Sequence, residues 1–206
     1  MGQITHVAFM VGGVLVPRMM DVTLELLHSS SEVDRHTKFD IHFLERDLSL
    51  GRITPEEYCR QAIKCTDSTD EPSYMMHAIP EQIRLVPGMK ALVDELAEKC
   101  MTCLVSDYPR LWLKRIWENT GLSSLLTDDR TLILAEANIP DTYPELFQIV
   151  MHTFETRPGS ALWIDYSSPR TSWAIRQGID AIVFVDEGRL RRELEMRTLL
   201  TTAIRS

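Results

Sequence analysis

The chain has 206 residues, 44% hydrophobic and 25% charged, which is the composition of an ordinary folded protein and not of a disordered or collagen-like chain. Its net charge of -8 argues against nucleic acids and anionic membranes as partners, because both attract a concentrated positive field. The sequence has no run of about 18 apolar residues, no signal-peptide pattern and only four cysteines, so we expect a cytoplasmic protein with free thiols.

Five short apolar segments predict β-strands. They span residues 6–11, 101–106, 131–136, 161–165 and 181–186. Because they are apolar on both faces, we expect parallel strands covered by helices on both sides. From residue 89 onward the strands alternate with segments of helical spacing, at residues 89–100, 109–119, 143–154, 169–177 and 190–200. This alternation predicts an α/β fold with a Rossmann-like, doubly wound parallel sheet.

A long helical segment separates the first strand from this regular alternation. Within it, Thr54 supplies a capping hydroxyl, Pro55 occupies the first helical position and Glu57 follows three residues after the cap, a pattern that starts a helix. Residues 66–80 are rich in polar residues and proline and predict a loop back to the sheet. We therefore predict a core domain of residues 1–17 and 85–206 and an inserted helical cap of residues 18–84.

Ligands of open parallel sheets bind beyond the carboxyl ends of the strands, which makes the residues there candidates for a ligand pocket. They are Met10, Gly12, Gly13, Ser106, Asp107, Tyr108, Asp165 and Tyr166. Four of these residues also have a purely structural alternative. The glycines suit a tight turn, Asp107 can cap the helix that starts near Pro109, and Asp165 can be held by a backbone N–H or by Ser167 or Ser168.

These segments resemble the haloacid dehalogenase superfamily, in the subfamily with a helical cap inserted after the first motif. The resemblance covers nearly the whole chain and rests on residues 5–16, 51–57, 86–96, 104–107, 143–147 and 163–178. It implies phosphoryl or haloacid chemistry through an aspartyl intermediate. In such a site one aspartate attacks, a second one two residues later is acid and base, a lysine and a serine or threonine hold the transferring group, and further acids help to hold Mg²⁺.

The chain departs from this motif set at nearly every charged position. Met10 stands at the place of the attacking aspartate, Gly12 at the place of the second aspartate and Asp141 near the place of the lysine. The sequence has no lysine after Lys114. Because a thioether is not a useful nucleophile at a phosphoryl or carbonyl centre, Met10 cannot replace the attacking carboxylate.

Only Ser106 and Asp165 remain of the motif set, and Tyr166 stands where a second acid is common. We therefore expect no phosphatase or dehalogenase activity and no cofactor. We also expect that Mg²⁺ binding is lost and that the crevice has an apolar floor. The main hypothesis is a pseudo-phosphatase that binds a small-molecule ligand or a protein partner, and a homodimer is compatible with it. The alternative is an enzyme for proton transfer, dehydration, isomerisation or cyclisation that uses Asp107, Tyr108, Asp165 or Tyr166.

Overall fold

The computed structural model describes residues 3–27, 34–66, 68–122, 127, 129–137, 139 and 143–201. Within these ranges the strands are β1 (His6–Met10), β2 (Met101–Ser106), β3 (Thr131–Ile133), β4 (Ala161–Asp165) and β5 (Asp180–Val183). The helices are α1 (Met19–Leu27), α2 (Arg35–Ser49), α3 (Pro55–Cys65), α4 (Pro72–Gln82), α5 (Met89–Ala97), α6 (Arg110–Thr120), α7 (Tyr143–Thr153), α8 (Ser168–Arg176) and α9 (Glu187–Met196).

The strands form one parallel sheet in the order β3-β2-β1-β4-β5. The central strand β1 pairs with β2 from His6 opposite Met101, and with β4 from His6 opposite Ala161. Every residue of β4 is buried, and every residue of β2 except Met101, as expected for strands that helices cover on both faces. The predicted α/β class with a Rossmann-like parallel sheet is confirmed.

Three predicted strands end earlier in the structure, β1 by a single residue, at Met10. β3 ends at Ile133, after which Leu134–Glu136 form a 3-10 turn, and β5 ends at Val183. Ile133 lies opposite Ser106, the last residue of β2, and Val183 lies opposite Asp165, the last residue of β4. Each outer strand therefore ends level with its inner neighbour, although its apolar sequence continues, and the Phe184 N–H still donates to the Asp165 carbonyl at 2.8 Å.

The helices α1 to α4 lie between β1 and α5 and pack against one another. The Val86 N–H donates a hydrogen bond to the Leu15 carbonyl at 2.8 Å, so the chain leaves the sheet and returns to it along neighbouring paths. The Thr54 hydroxyl accepts a hydrogen bond from the Glu57 N–H at 3.1 Å, which confirms the predicted start of α3.

Helix α4 corrects the prediction of a loop over residues 66–80. It begins at Pro72, in the first turn where proline is tolerated, and continues through Pro80. Its buried residues are Met75, Ile79 and Pro80, and it contacts α1, α3 and α6. Burial of this apolar face outweighs the low helix propensity of the segment.

Three contacts join these four helices to the rest of the molecule. The Trp112 indole N–H donates to the Met76 carbonyl at 3.1 Å, and its ring meets the Tyr58 ring edge-on, with centroids 6.1 Å apart. A side chain at Gly51, just after α2, would overlap the carbonyl oxygen of Ala135.

Within the described ranges, no helix combines the length and the hydropathy needed to cross a bilayer.

Candidate functional site

A pocket of about 530 Å³ lies between α2 and the carboxyl ends of the strands. Its polar and titratable lining residues are His42, Glu45, Arg46, Ser49, Asp107, Tyr166 and Arg170. Its apolar lining residues are Phe39, Phe43, Leu50, Leu134, Ile139 and Leu146. The pocket therefore lies at the predicted sheet edge, and one wall comes from the segment predicted as a cap.

Of the residues predicted from the sequence, Asp107 and Tyr166 line this pocket. Met10, Ser106 and Asp165 are each fully buried behind its surface. Asp141 lies outside the described residues. The expectation of an apolar floor is wrong, because the pocket holds two carboxylates and two guanidinium groups among its lining side chains.

Ser106 and Tyr108 belong to the turn that follows β2. The Ser106 hydroxyl donates to the Tyr108 carbonyl at 2.9 Å and accepts from the Tyr108 N–H at 3.0 Å. The Tyr108 hydroxyl donates to the Pro17 carbonyl at 2.7 Å. Both hydroxyls are thus used to shape the backbone around the strand ends.

Gly12 and Gly13 are required for two different reasons. Gly13 has a φ of +78°, the turn conformation expected from the sequence, and a side chain there would overlap the Tyr166 ring. Gly12 donates its N–H to Asp107 Oδ1 at 3.0 Å, and a Cβ atom on Gly12 would lie 2.5 Å from Asp107 Oδ2. The alternative in which Asp107 caps the next helix is wrong, since α6 has no side-chain cap.

Asp165 is held by four hydrogen bonds. Its Oδ1 accepts from the Ser167 N–H at 2.9 Å and from Arg170 Nη2 at 2.9 Å. Its Oδ2 accepts from Trp163 Nε1 at 3.1 Å and from Arg170 Nε at 2.6 Å. The expected backbone partner is confirmed. The structure adds a bidentate ion pair with Arg170.

Sequence reasoning missed Arg170. It stands in the first turn of α8, whose N-cap is Ser167, and it reaches back to the carboxylate that ends the preceding strand. The available signal was the spacing of five residues between Asp165 and Arg170, across a strand end and a helix start.

A second ion pair comes from the α1–α2 side of the pocket. Arg18 Nη2 lies 3.2 Å from Glu45 Oε2, and the Met20 N–H donates to Glu45 Oε1 at 3.2 Å. Burial alone would raise the pKa of Glu45, but a hydrogen bond from His42 and the charge of Arg18 hold the pKa below its ordinary value. Glu45 is therefore ionised at neutral pH.

The Tyr166 ring lies between the two arginines. The guanidinium carbons of Arg18 and Arg170 are each 5.2 Å from its centroid, within the range of a cation–π contact. Burial raises the pKa of the Tyr166 hydroxyl above its ordinary value, so the ring is a neutral wall of the pocket.

Asp107 has the most perturbed carboxyl group of the pocket. Burial, and then the negative charge of Glu45, raise its pKa to about 6, and the charge of Arg170 offsets only part of this rise. Within the described ranges, no group of three or more His, Cys, Asp and Glu side chains is arranged to hold a metal ion.

No protein-family model and no curated protein matches the chain. Solved structures do match. A HAD family enzyme from Bacteroides thetaiotaomicron, in complex with magnesium and inorganic phosphate, is 18% identical with a TM-score of 0.68, over 91% of this chain and 98% of that chain.

The L-2-haloacid dehalogenase of Xanthobacter autotrophicus, with chloropropionic acid covalently bound, is 16% identical with a TM-score of 0.67, over 97% of this chain and 85% of that chain. A haloacid dehalogenase-like family hydrolase from Xanthomonas campestris is 15% identical with a TM-score of 0.64, over 94% and 91% of the two chains. These likenesses extend over nearly the full length of every chain compared. The chain therefore has the haloacid dehalogenase-like fold.

Proposed function

We propose that this chain is a haloacid dehalogenase-like pseudo-phosphatase, which binds a small-molecule ligand in the pocket between α2 and the strand ends. The observation that carries the proposal is the ion pair between Asp165 and Arg170. In the phosphatases that the chain resembles, an acidic residue of the fourth motif helps to hold the metal. Here a guanidinium group takes up both oxygens of that carboxylate.

The end of β1 supports the same conclusion. Neither of the two positions carries a carboxylate, because they hold a methionine and a glycine. The Met10 side chain is also fully buried. A Gly12 side chain would also meet Asp107, as its Cβ would lie 2.5 Å from Oδ2. Because groups that act together in catalysis are lost together, a partial phosphatase is not expected.

The residues present do not fit Mg²⁺. Magnesium needs carboxylate oxygens free to enter an octahedral shell. Both oxygens of Asp165 already accept hydrogen bonds from Ser167, Trp163 and Arg170. We therefore expect the purified protein to bind no Mg²⁺ at the strand ends.

The test is an assay of p-nitrophenyl phosphate hydrolysis with Mg²⁺, beside an active phosphatase of the same fold. We expect no turnover above that of heat-denatured protein, and no Mn²⁺-induced relaxation of the NMR signals of pocket residues. Magnesium-dependent turnover that is lost in Asp165→Asn, with the fold retained by circular dichroism, would refute the proposal. Turnover that persists equally in Asp165→Asn and Ser106→Ala would identify a contaminating phosphatase.

A proton-transfer enzyme is the second candidate, and Asp107 is the observation that favours it. This carboxyl lines the pocket with a pKa of about 6, suited to exchange protons near neutral pH. Asp165 is an unsuitable base, because it is fully buried and hydrogen-bonded on both oxygens. Deuterium incorporation from D₂O into small ketones and 2-oxoacids, compared between wild type and Asp107→Asn, tests this candidate.

A protein partner or a second copy of the chain has less support. Large exposed apolar side chains lie on α2, α4, α6, α8 and α9. The pair with the clearest mutual contact, Phe39 and Phe43, lines the pocket itself, with ring centroids 4.5 Å apart. These two rings therefore favour a ligand at the pocket.

A further inference from the structure

We propose that the pocket selects a small organic cation, an ammonium group on an aromatic or aliphatic body, and that Asp107 is its anchor. The inference deepens the proposed function and rests on it, since it names the chemical class of ligand for the same pocket. It rests on the one open oxygen of Asp107, on the balance of charges around it and on the aromatic wall opposite.

Asp107 presents an unused acceptor to the pocket. Oδ1 accepts the Gly12 N–H at 3.0 Å, whereas Oδ2 accepts no hydrogen bond from the part of the chain that is described. The residue is only 7% exposed, yet it is a lining residue of the cavity. Oδ2 is not among the sealed polar atoms of the described residues, so it is open to the pocket and able to accept a ligand N–H group.

The arginines near Asp107 are paired with other carboxylates. Arg170 is engaged in two hydrogen bonds with Asp165, and Arg18 is paired with Glu45. Within the described ranges, Asp107 forms no ion pair. These three carboxylates and two arginines carry one excess negative charge, which Arg46 on the α2 side balances over the whole pocket. At Asp107 itself the negative charge of Glu45 outweighs the positive charge of Arg170, so the local field favours a cation.

The ionisation of Asp107 suits the same ligand. With a pKa of about 6, the carboxyl is mostly charged at neutral pH, and a bound ammonium group would lower that pKa. An anion would instead meet the charges of Asp107 and Glu45. A phosphate or carboxylate group is thus disfavoured in direct contact with Asp107.

The remaining wall accommodates the body of the ligand. Phe39 and Phe43 meet edge to face and line the pocket, whereas the Tyr166 ring already faces the guanidinium groups of Arg18 and Arg170. Aromatic faces attract ammonium groups and apolar rings alike. A volume of about 530 Å³ falls within the roughly 300–1,000 Å³ that is typical of small-molecule sites.

The experiment titrates the full chain with 2-phenylethylamine, 2-phenylethanol and 3-phenylpropionate, by calorimetry and by NMR chemical shifts. We expect the amine to bind at least about tenfold tighter than the alcohol or the acid. Asp107→Asn should weaken amine binding by about ten- to a hundredfold and leave the alcohol unchanged. Asp47→Asn removes an α2 carboxylate that lies outside the pocket lining and should change nothing.

Lowering the pH from about 7.5 to about 5 should weaken amine binding to wild type, since Asp107 takes up a proton, but not to Asp107→Asn. A lysine side chain of a protein segment carries the same ammonium group. Nα-acetyl-lysine amide, whose side-chain amine is free, is therefore a further probe. Tighter binding of that probe than of 2-phenylethylamine would make the source a protein and overturn the small-molecule assignment.

The outcomes separate this inference from the proposed function. Preferred binding of the alcohol or the acid, equal amine binding by Asp107→Asn, or no binding of any probe at millimolar concentration would overturn the amine assignment. Absence of p-nitrophenyl phosphate turnover would leave the pseudo-phosphatase standing in each of these cases. Magnesium-dependent turnover would refute the proposed function whatever the amine result.

Discussion

Gly12 and Asp107 fit together because residue 12 has no side chain. The Gly12 N–H donates to Asp107 Oδ1 at 3.0 Å, and a Cβ atom there would lie 2.5 Å from Oδ2. Any side chain at position 12 would therefore meet the carboxylate that follows β2. An aspartate cannot be restored at position 12 while Asp107 keeps its present position.

Gly12→Ala tests this close approach. We expect it to lower the free energy of unfolding by about 1–3 kcal/mol, as overpacking does in a tight core. The double variant Gly12→Ala with Asp107→Ala should lose less than the sum of the single variants, because the added methyl group then has space. Urea denaturation measures all three, and Gly159→Ala, where a Cβ meets nothing within 4 Å, is the control. Additive losses would contradict the contact.

Asp107→Asn should stabilise the protein above the pKa of the carboxyl. Burial raises that pKa from 3.8 to about 6, so the folded state holds a proton that the unfolded state releases between these values. The stability contributed by the neutral carboxyl is complete below about pH 4 and is lost as the pH rises through about 6. Asparagine avoids this loss, and the gain at neutral pH is at most about 3 kcal/mol for a shift from 3.8 to about 6.

Unfolding free energies of wild type and Asp107→Asn, measured from about pH 4 to about pH 8, check this prediction. The two curves should separate with rising pH and run parallel above about pH 7. A constant offset over the whole range would mean that the Asp107 carboxyl does not titrate near 6.

Arg170→Met should be strongly destabilising. It leaves the fully buried Asp165 carboxylate without its ion-pair partner, which costs about 3–5 kcal/mol in buried pairs. Arg170→Lys should fall between wild type and Arg170→Met, since an ammonium group cannot make the two parallel hydrogen bonds. The matched control is Arg115→Met, which breaks an exposed pair with Glu81 and should cost less than about 1 kcal/mol. Equal losses at both sites by urea denaturation would contradict the buried pair.

The buried cysteines should be inert in the folded protein. Burial raises the pKa of Cys59 and of Cys103 to about 12, and a thiol is unreactive while protonated. Iodoacetamide at about pH 8, followed by peptide mass spectrometry, should label Cys65 first and leave Cys59 and Cys103 unlabelled until urea is added. Rapid labelling of Cys103 in the native state would contradict the burial of this thiol.

The sheet could be predicted from the sequence because its signal is local. The segments His6–Met10, Met101–Ser106 and Ala161–Asp165 are largely apolar on both faces, as expected of covered parallel strands. The start of α3 was equally readable from Thr54 and Pro55. Helix α4 was not, because its helical state depends on burial against three other helices.

The sequence by itself determined the α/β class, the helical segment inserted after the first strand and the absence of acidic side chains at Met10 and Gly12. Only the tertiary structure decided the charge of the pocket. Glu45 comes from α2 and Arg170 from α8, and their proximity to Asp107 depends on how α2 lies over the strand ends. Apolar periodicity reports on neighbours along the chain, whereas an ion pair or a raised pKa depends on groups that folding brings together. The paired charges of the crevice could therefore not be foreseen.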